Sequence, residues 1–244
     1  LGQRRGLSAP ALLGCPLTSA CPVALLLGAA QDEDVLAKAE RGWLEGYRHF
    51  KLKVGARGGA HRDAETVAGL RATLGPLAQL RLDANGALDA TEAEALCRAV
   101  EPHGIEFFEE PSEVRLATSI PIALDESLQG QSEEQLASLV ARRGAKVVVL
   151  KPMALGGLWH CLRLATRARE LGVGVVVSHA FDGPIALRAA ATLALTLRPL
   201  TDNAHGLAPH TGLPQWGGSP SPVSDGFLRS WSEPGLAENA ELMA

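Results

Sequence analysis

Along the chain, short apolar runs alternate with longer stretches whose apolar positions recur every three to four residues. From Cys21 this rhythm predicts a strand over Cys21–Gly28 and a helix over Asp32–Glu45, opened by an acidic first turn. His49–Gly55 reads as the second strand, with a helix near His61–Leu74 after it. Gln79–Asn85 is a third strand, and Thr91–Val100 a helix capped by Thr91 or Asp89. Ile105–Glu110 and Ile120–Glu126 read as strands separated by too few residues for a long helix. Ser132–Ala141 is a helix with a capping box from Ser132 to Gln135, and Lys146–Lys151 is a buried, β-branched parallel strand. Gly157–Leu171 follows as helix, Val173–Ser178 as strand, Pro184–Leu197 as helix, and a weaker strand lies near Ala204–Ala208. Gly217–Pro222 reads as a turn-rich linker, and the tail to Ala244 shows no clear period.

Eight strands with intervening helices predict a parallel α/β fold. A doubly wound sheet competes with a barrel, but no G-x-G-x-x-G turn follows the first strand. Gly55-Ala56-Arg57-Gly58-Gly59 also lacks the G-K-[ST] of a phosphate loop, so it reads as an ordinary turn and the barrel is preferred. At 244 residues with 46% hydrophobic content, the chain can bury one large core.

A net charge of −4 offers no electrostatic footprint for nucleic acid. The four cysteines contain no C-x-x-C pair, which suits reduced thiols in the cytoplasm. Arg4-Arg5 ahead of an apolar stretch resembles a secretion signal, but Pro10, Pro16, Pro22 and Thr18-Ser19 interrupt it. No uninterrupted run approaches the ~18 apolar residues of a membrane helix. The chain begins with Leu rather than Met, so an upstream portion is expected to exist.

On the second strand, Lys51 and Lys53 share a face, where each ammonium should depress the other's pKa. Taken alone, this reads as an edge strand wearing lysines against aggregation. The next three strands change the picture. The third strand ends Asp83-Ala84-Asn85, the fourth Glu109-Glu110-Pro111 and the fifth Asp125-Glu126-Ser127. In a barrel, these acids reach one rim, where they repel unless a cation sits between them. Oxygen ligands without Cys or His argue for a hard ion, Mg²⁺ with Mn²⁺ as substitute. Alternation leaves open which acid of each adjacent pair faces inward. Lys151 ends the sixth strand and is expected across the mouth from Lys51 and Lys53, an arrangement suited to proton abstraction beside a carboxylate.

Lys51-Leu52-Lys53, Asp83-Ala84-Asn85, Glu109-Glu110-Pro111, Asp125-Glu126-Ser127 and Lys151-Pro152 together resemble the enolase superfamily, muconate-lactonizing subgroup, over Cys21 to about Pro209. The resemblance implies a modified TIM-type (β/α)7β barrel with Asp83, Glu109 and Asp125 as metal ligands. It implies Lys53 as the base, Lys51 beside it and Lys151 as the opposite lysine. A Lys base with Mg²⁺ is a mechanism general to that superfamily. Members carry an N-terminal capping domain, of which residues 1–20 could supply only the last connection. The implied division is 1–20 connection, 21–210 barrel and 211–244 C-terminal extension.

Finer features are similar to the o-succinylbenzoate synthases of that subgroup. They are Arg81, Leu124–Leu128, Lys151–Gly157 and Ser178–Gly183. This implies a menaquinone-pathway lyase that dehydrates 2-succinyl-6-hydroxy-2,4-cyclohexadiene-1-carboxylate, a small-molecule carboxylate. Arg81, Asn85, Ser178, His179 and Gly206 are then substrate-facing, with Ser178 and the Gly206 backbone as neutral donors. His205–Pro209 lacks the acids with which dipeptide epimerases hold an ammonium, so the substrate is expected to carry no amine. N-acylamino acid racemase, dipeptide epimerase, muconate cycloisomerase and an inactive truncated barrel are the alternatives.

Overall fold

Alternation along the lysine strand sorts its side chains. Phe50 and Leu52 pack in the main core with helix residues such as Val67 and Leu70, and Lys51 and Lys53 take the other face. A computed structural model describes residues 1–56, 59–198, 201, 203–216 and 221–236. Two short helices, α1 (Gly2–Arg5) and α2 (Ala9–Leu12), precede β1 (Ala20–Pro22). The barrel then runs β2 (Ala24–Ala29), α3 (Val35–Leu44), β3 (His49–Lys53), α4 (Ala60–Leu74), β4 (Gln79–Asp83), α5 (Ala90–Val100) and β5 (Ile105–Glu109). It continues through β6 (Ile122–Leu124), α6 (Glu133–Arg143), β7 (Ala145–Leu150), α7 (Leu158–Glu170), β8 (Gly174–Val177) and α8 (Pro184–Leu197). Capping boxes open α5 at Asp89 and α6 at Ser132, so Asp89 rather than Thr91 is the cap.

The seven strands β2 to β8 lie side by side in sequence order, each parallel to the next. Residues 205 and 206 join the two edges. Gly206 N–H donates to the Val177 carbonyl (2.8 Å), His205 N–H to Pro22 (2.9 Å), and Ala24 N–H to His205 (2.8 Å). The result is the modified parallel barrel, with its eighth position reduced to two single-residue bridges in place of the expected strand. Pro209, which has no N–H, cannot extend them.

Three other expectations change. Cys21–Gly28 divides at Val23, because β1 leaves the barrel and pairs antiparallel with β10 (Phe227–Arg229). Ile120–Glu126 shortens to β6, since Pro121 has no N–H to donate and Glu126 opens a 3₁₀ turn. The tail, expected to be aperiodic, contains a hairpin of β9 (Val223–Ser224) and β10. Its two-residue turn is Asp225-Gly226, at φ 53° and 75°, as a type I′ hairpin requires. Most of the expected Gly217–Pro222 linker lies outside the described residues. No described helix is long and apolar enough to cross a membrane.

Inside the barrel, Phe107, Ala123, Val147, Val149 and Val176 form a small cluster separate from the main core. Beside it lies a buried charge network. A bulge between β4 and β5 pairs Leu80 with Ile105 and Arg81 with Phe107, leaving Glu106 as the extra residue with its side chain re-aimed. Arg81 grips Glu106 with two bonds (Nε to Oε2 2.7 Å, Nη2 to Oε1 2.8 Å) and donates Nη1 to the Ala204 carbonyl (2.8 Å). Its guanidinium lies 4.5 Å from the Phe107 ring centre, and His49 Nδ1 is 3.2 Å from Glu106 Oε2.

This network predicts a pH dependence. Burial raises the Glu106 pKa, but Arg81 and His49 outweigh it and hold the carboxyl at about 2 against an ordinary 4.5. Between those values the unfolded chain binds the extra proton, so stability rises with pH there and is fully present above 4.5. The contribution is roughly 3 kcal/mol. Glu106→Gln should lower the unfolding free energy by about that amount at pH 6, measured by urea titration. The gap from wild type should close as pH falls from 4.5 toward 2, and a gap independent of pH would exclude ionised Glu106 as its source.

Candidate active site

Strand register brings the polar residues level. Lys53 on β3 pairs with Asp83 on β4, and Asp83 with Glu109 on β5. All three end their strands, and Lys151 follows β7 directly. With residues 205–206 as the eighth position, β3 and β7 are four places apart around the ring, so Lys53 and Lys151 stand on opposite sides. Between them is a cavity of about 230 Å³. Lys51, Lys53, Asp83, Asn85, Glu109 and Glu126 line one side, and Lys151, Ser178, His179 and Gly206 the other. Arg81, Phe107, Val149 and Val176 also line it, with Phe181 and Ala208.

The three acids are almost wholly buried, at 1% exposure for Asp83, 1% for Glu109 and 4% for Asp125. Lysines neutralise them. Lys51 Nζ donates to Asp83 Oδ2 (2.9 Å) and to both Glu109 oxygens (3.2 Å each), while Lys151 pairs with Asp125. Burial pushes the Lys51 ammonium down, but Glu109 and Asp83 outweigh it and hold the group above its ordinary value. This reverses the depression expected from its lysine neighbour. Lys151 is likewise raised, because Asp125 outweighs burial. Burial drives Glu109 well above the usual carboxylate range; Lys51 pulls it back, and Asp83 and Asp125 push it further up. The Lys53 Nζ has no hydrogen-bond or ion-pair partner among the described residues.

Among the described residues no group of three His, Cys, Asp or Glu is spaced to hold a metal ion, and ammonium groups stand among these carboxylates. The donor chemistry nevertheless fits a hard divalent cation. Three buried carboxylates converge, and the charges of Asp83 and Asp125 bear on Glu109 despite the lysine beside it.

The positions expected to face substrate are all on the cavity wall, but most of their polar groups have internal partners. Arg81 is committed to Glu106 and Ala204, so it braces the floor rather than presenting a free guanidinium. Ser178 Oγ donates to the Gly206 carbonyl (3.1 Å) and Gly206 N–H closes the barrel, so neither is the open donor expected. His179 accepts from Phe181 N–H at Nδ1 (3.0 Å), and its Nε2 is 3.1 Å from the Ala208 carbonyl. Burial lowers its pKa. Asn85 N–H donates to Asp83 Oδ1 (3.0 Å), and its Nδ2 to Glu126 Oε1 (3.1 Å). Asp125 is not on the cavity wall; Lys151, its partner, is.

Three residues around the site, Glu106, Arg143 and Phe181, were not expected from the sequence, whereas Glu110 was open between an inward and an outward role. Glu106 was a detectable signal, as an acid between Ile105 and Phe107 in an apolar strand. Glu110 and Arg143 form a buried ion pair behind Asp125 (2.9 Å), which neither spacing nor period reveals. Phe181, 57% exposed and at φ 58°, stands at the mouth against His179 and His210, with no local signal to announce it.

A family model described as "Enolase C-terminal domain-like" matches residues 34–240. The o-succinylbenzoate synthase of Thermobifida fusca (strain YX) is 39% identical over 166 residues, 65% of this chain and 50% of that protein. Muconate cycloisomerase 1 of Pseudomonas putida is 34% identical over 211 residues, 82% of this chain and 55% of that protein. The chain thus spans about half the length of these curated relatives. Among solved structures, the muconate lactonizing enzyme from Pseudomonas putida superposes with a TM-score of 0.82 at 30% identity, covering 98% of this chain and 68% of that one. The matched residues include every lysine and carboxylate of the cavity, and the barrel is the same, so the chain belongs to the enolase C-terminal domain-like family.

Proposed function

We propose that this chain is the barrel of a metal-dependent lyase, an o-succinylbenzoate synthase acting on a small cyclohexadiene carboxylate in menaquinone biosynthesis. The observation that carries the reading is the pair Lys53 and Lys151 on opposite sides of one cavity, with buried carboxylates between them. Asp83, Glu109 and Asp125 would hold Mg²⁺, or Mn²⁺ in its place, which supplies a Lewis acid for the substrate carboxylate.

The chain's own groups do the rest. Lys53, whose nitrogen is free of partners among the described residues, removes the α-proton. Lys51 keeps positive charge beside the developing anion, and Lys151 supplies a second cation from the opposite face. The ring's hydroxide then departs, with a proton, as water, and the ring becomes aromatic. Apolar walls at Phe107, Val149 and Val176 limit water around the reacting carbon. Ser178, Gly206 and Ala208 present no acid on the eighth-position side, which suits a substrate without an amine. The described cysteines are all free and buried, in keeping with a reducing cytoplasm.

One finding favours a second reading. The match to muconate cycloisomerase 1 covers 82% of the chain, and an isomerase could use the same lysines and acids.

Titration calorimetry should show Mg²⁺ binding by the wild-type chain and its loss in Asp83→Asn and Asp125→Asn, with melting temperatures showing both folded. Unchanged affinity in both variants excludes the ligand assignment. Lys53→Ala should slow exchange of the substrate α-proton into deuterated solvent by ~10²–10⁴-fold, and exchange at the wild-type rate removes Lys53 as base. For the lyase reading, kcat/KM should favour the cyclohexadiene acid over racemisation of an N-succinylamino acid by at least ~10-fold, worth about 1.4 kcal/mol. The opposite order assigns the chain to the isomerases.

A further inference from the structure

The three acids are not held in the same way. Asp83 and Glu109 are the last residues of β4 and β5, fixed by the ladders on either side. β6 is the shortest strand of the barrel and stops at Leu124, so Asp125 lies one residue beyond the sheet. A side chain takes over where the ladder ends. Glu110 is 4% exposed, and its Oε1 accepts the backbone N–H groups of Asp125 (2.8 Å) and Ser127 (2.9 Å). Its Oε2 accepts from Ser127 Oγ (2.9 Å) and Arg143 Nη2 (2.9 Å).

Arg143, at the end of α6 and 7% exposed, also donates to Ser127 Oγ (2.7 Å) and to the Ser112 carbonyl. Glu110 reaches this position from a left-handed backbone at φ 40°, which a non-glycine residue seldom adopts without compensation. Four hydrogen bonds to one buried carboxylate provide it. Two of the four end on the turn that carries Asp125, and one on the Asp125 amide itself.

We infer that Glu110, Ser127 and Arg143 form a buried clamp that positions Asp125, so that Glu110 and Arg143 are positioning residues for metal binding. The inference rests on the proposed role of Asp125 as a ligand. Groups that orient a metal ligand from behind typically change affinity 10–100-fold when removed. A clamp that merely held the loop would change stability and leave affinity alone.

The test is Mn²⁺ affinity of the full chain by calorimetry and electron paramagnetic resonance, with urea stability measured on the same samples. Glu110→Gln and the charge-balanced Glu110→Gln/Arg143→Met should each lose ~10–100-fold in affinity. Ser127→Ala, which keeps both charges, should lose a few-fold, and Arg143→Lys should bind more tightly than Arg143→Met. Leu164→Ala, a fully buried core change on α7, should lose stability with affinity within about twofold of wild type. Affinity unchanged in Glu110→Gln and Ser127→Ala, while Asp125→Asn loses it, overturns the clamp and leaves the ligand assignment standing. An equal loss in Leu164→Ala also overturns it, by making affinity follow global loosening. Unchanged affinity in Asp125→Asn overturns the ligand assignment, and the clamp with it.

Discussion

Three buried carboxylates at the ends of consecutive parallel strands are an electrostatic demand that the surrounding molecule has to meet. Two like charges 4 Å apart repel by about 4 kcal/mol at the effective dielectric of a protein site, and burial adds to that. In this structure lysines answer the demand, Lys51 across Asp83 and Glu109 and Lys151 at Asp125. The answer is incomplete, because burial and its neighbours leave Glu109 well above the ordinary carboxylate range. A site organised in this way has a use for further positive charge. The same two lysines that hold the carboxylates also line the cavity with Lys53, Lys51 on its own strand and Lys151 from the opposite side.

The interior of the barrel meets a comparable demand differently. Arg81 and Glu106 close on each other with paired bonds, and the third guanidinium nitrogen reaches Ala204 beside the closing segment. One side chain therefore ties β4 and β5 to the residues that complete the ring. Because Arg81 and Asp83 share a strand and a face, the brace below also fixes the height of the acid above. His205 is wholly buried between the two edges, and burial with Arg81 nearby pushes its pKa down to about 3, so it closes the barrel as a neutral ring. Its Nδ1 accepts from Val177 N–H at 3.0 Å.

Much of this was readable from local pattern. Period-two alternation put Lys51 and Lys53 on one face, and the acids stood out because each closes an apolar run. The hairpin near the C-terminus was not read: Asp225-Gly226 is a strong turn signal, but only two or three residues flank it on either side and no period builds up. What alternation could not supply was the choice between adjacent acids. Glu109 faces the cavity and Glu110 leaves it through a left-handed backbone that no local signal announces. Glu126 departs the other way. It lines the cavity, because the chain turns into a 3₁₀ helix after Asp125 and alternation no longer applies.

The paired acids of the fourth and fifth strand ends therefore serve different purposes for one physical reason. A strand end inside the ladder needs no help, and its neighbour is free to act elsewhere. Glu109 is inside, so Glu110 can reach across to the next strand's exit, where β6 has already stopped. Asp125 is outside, so its amide hydrogen bonds to that borrowed carboxylate and its side chain meets Lys151. Strand length thus decides which acid needs support, and the second glutamate of the preceding strand provides it. The early end of β6 and the left-handed turn at Glu110 are complementary features, since the Asp125 N–H beyond the ladder is met by the carboxylate that the turn delivers.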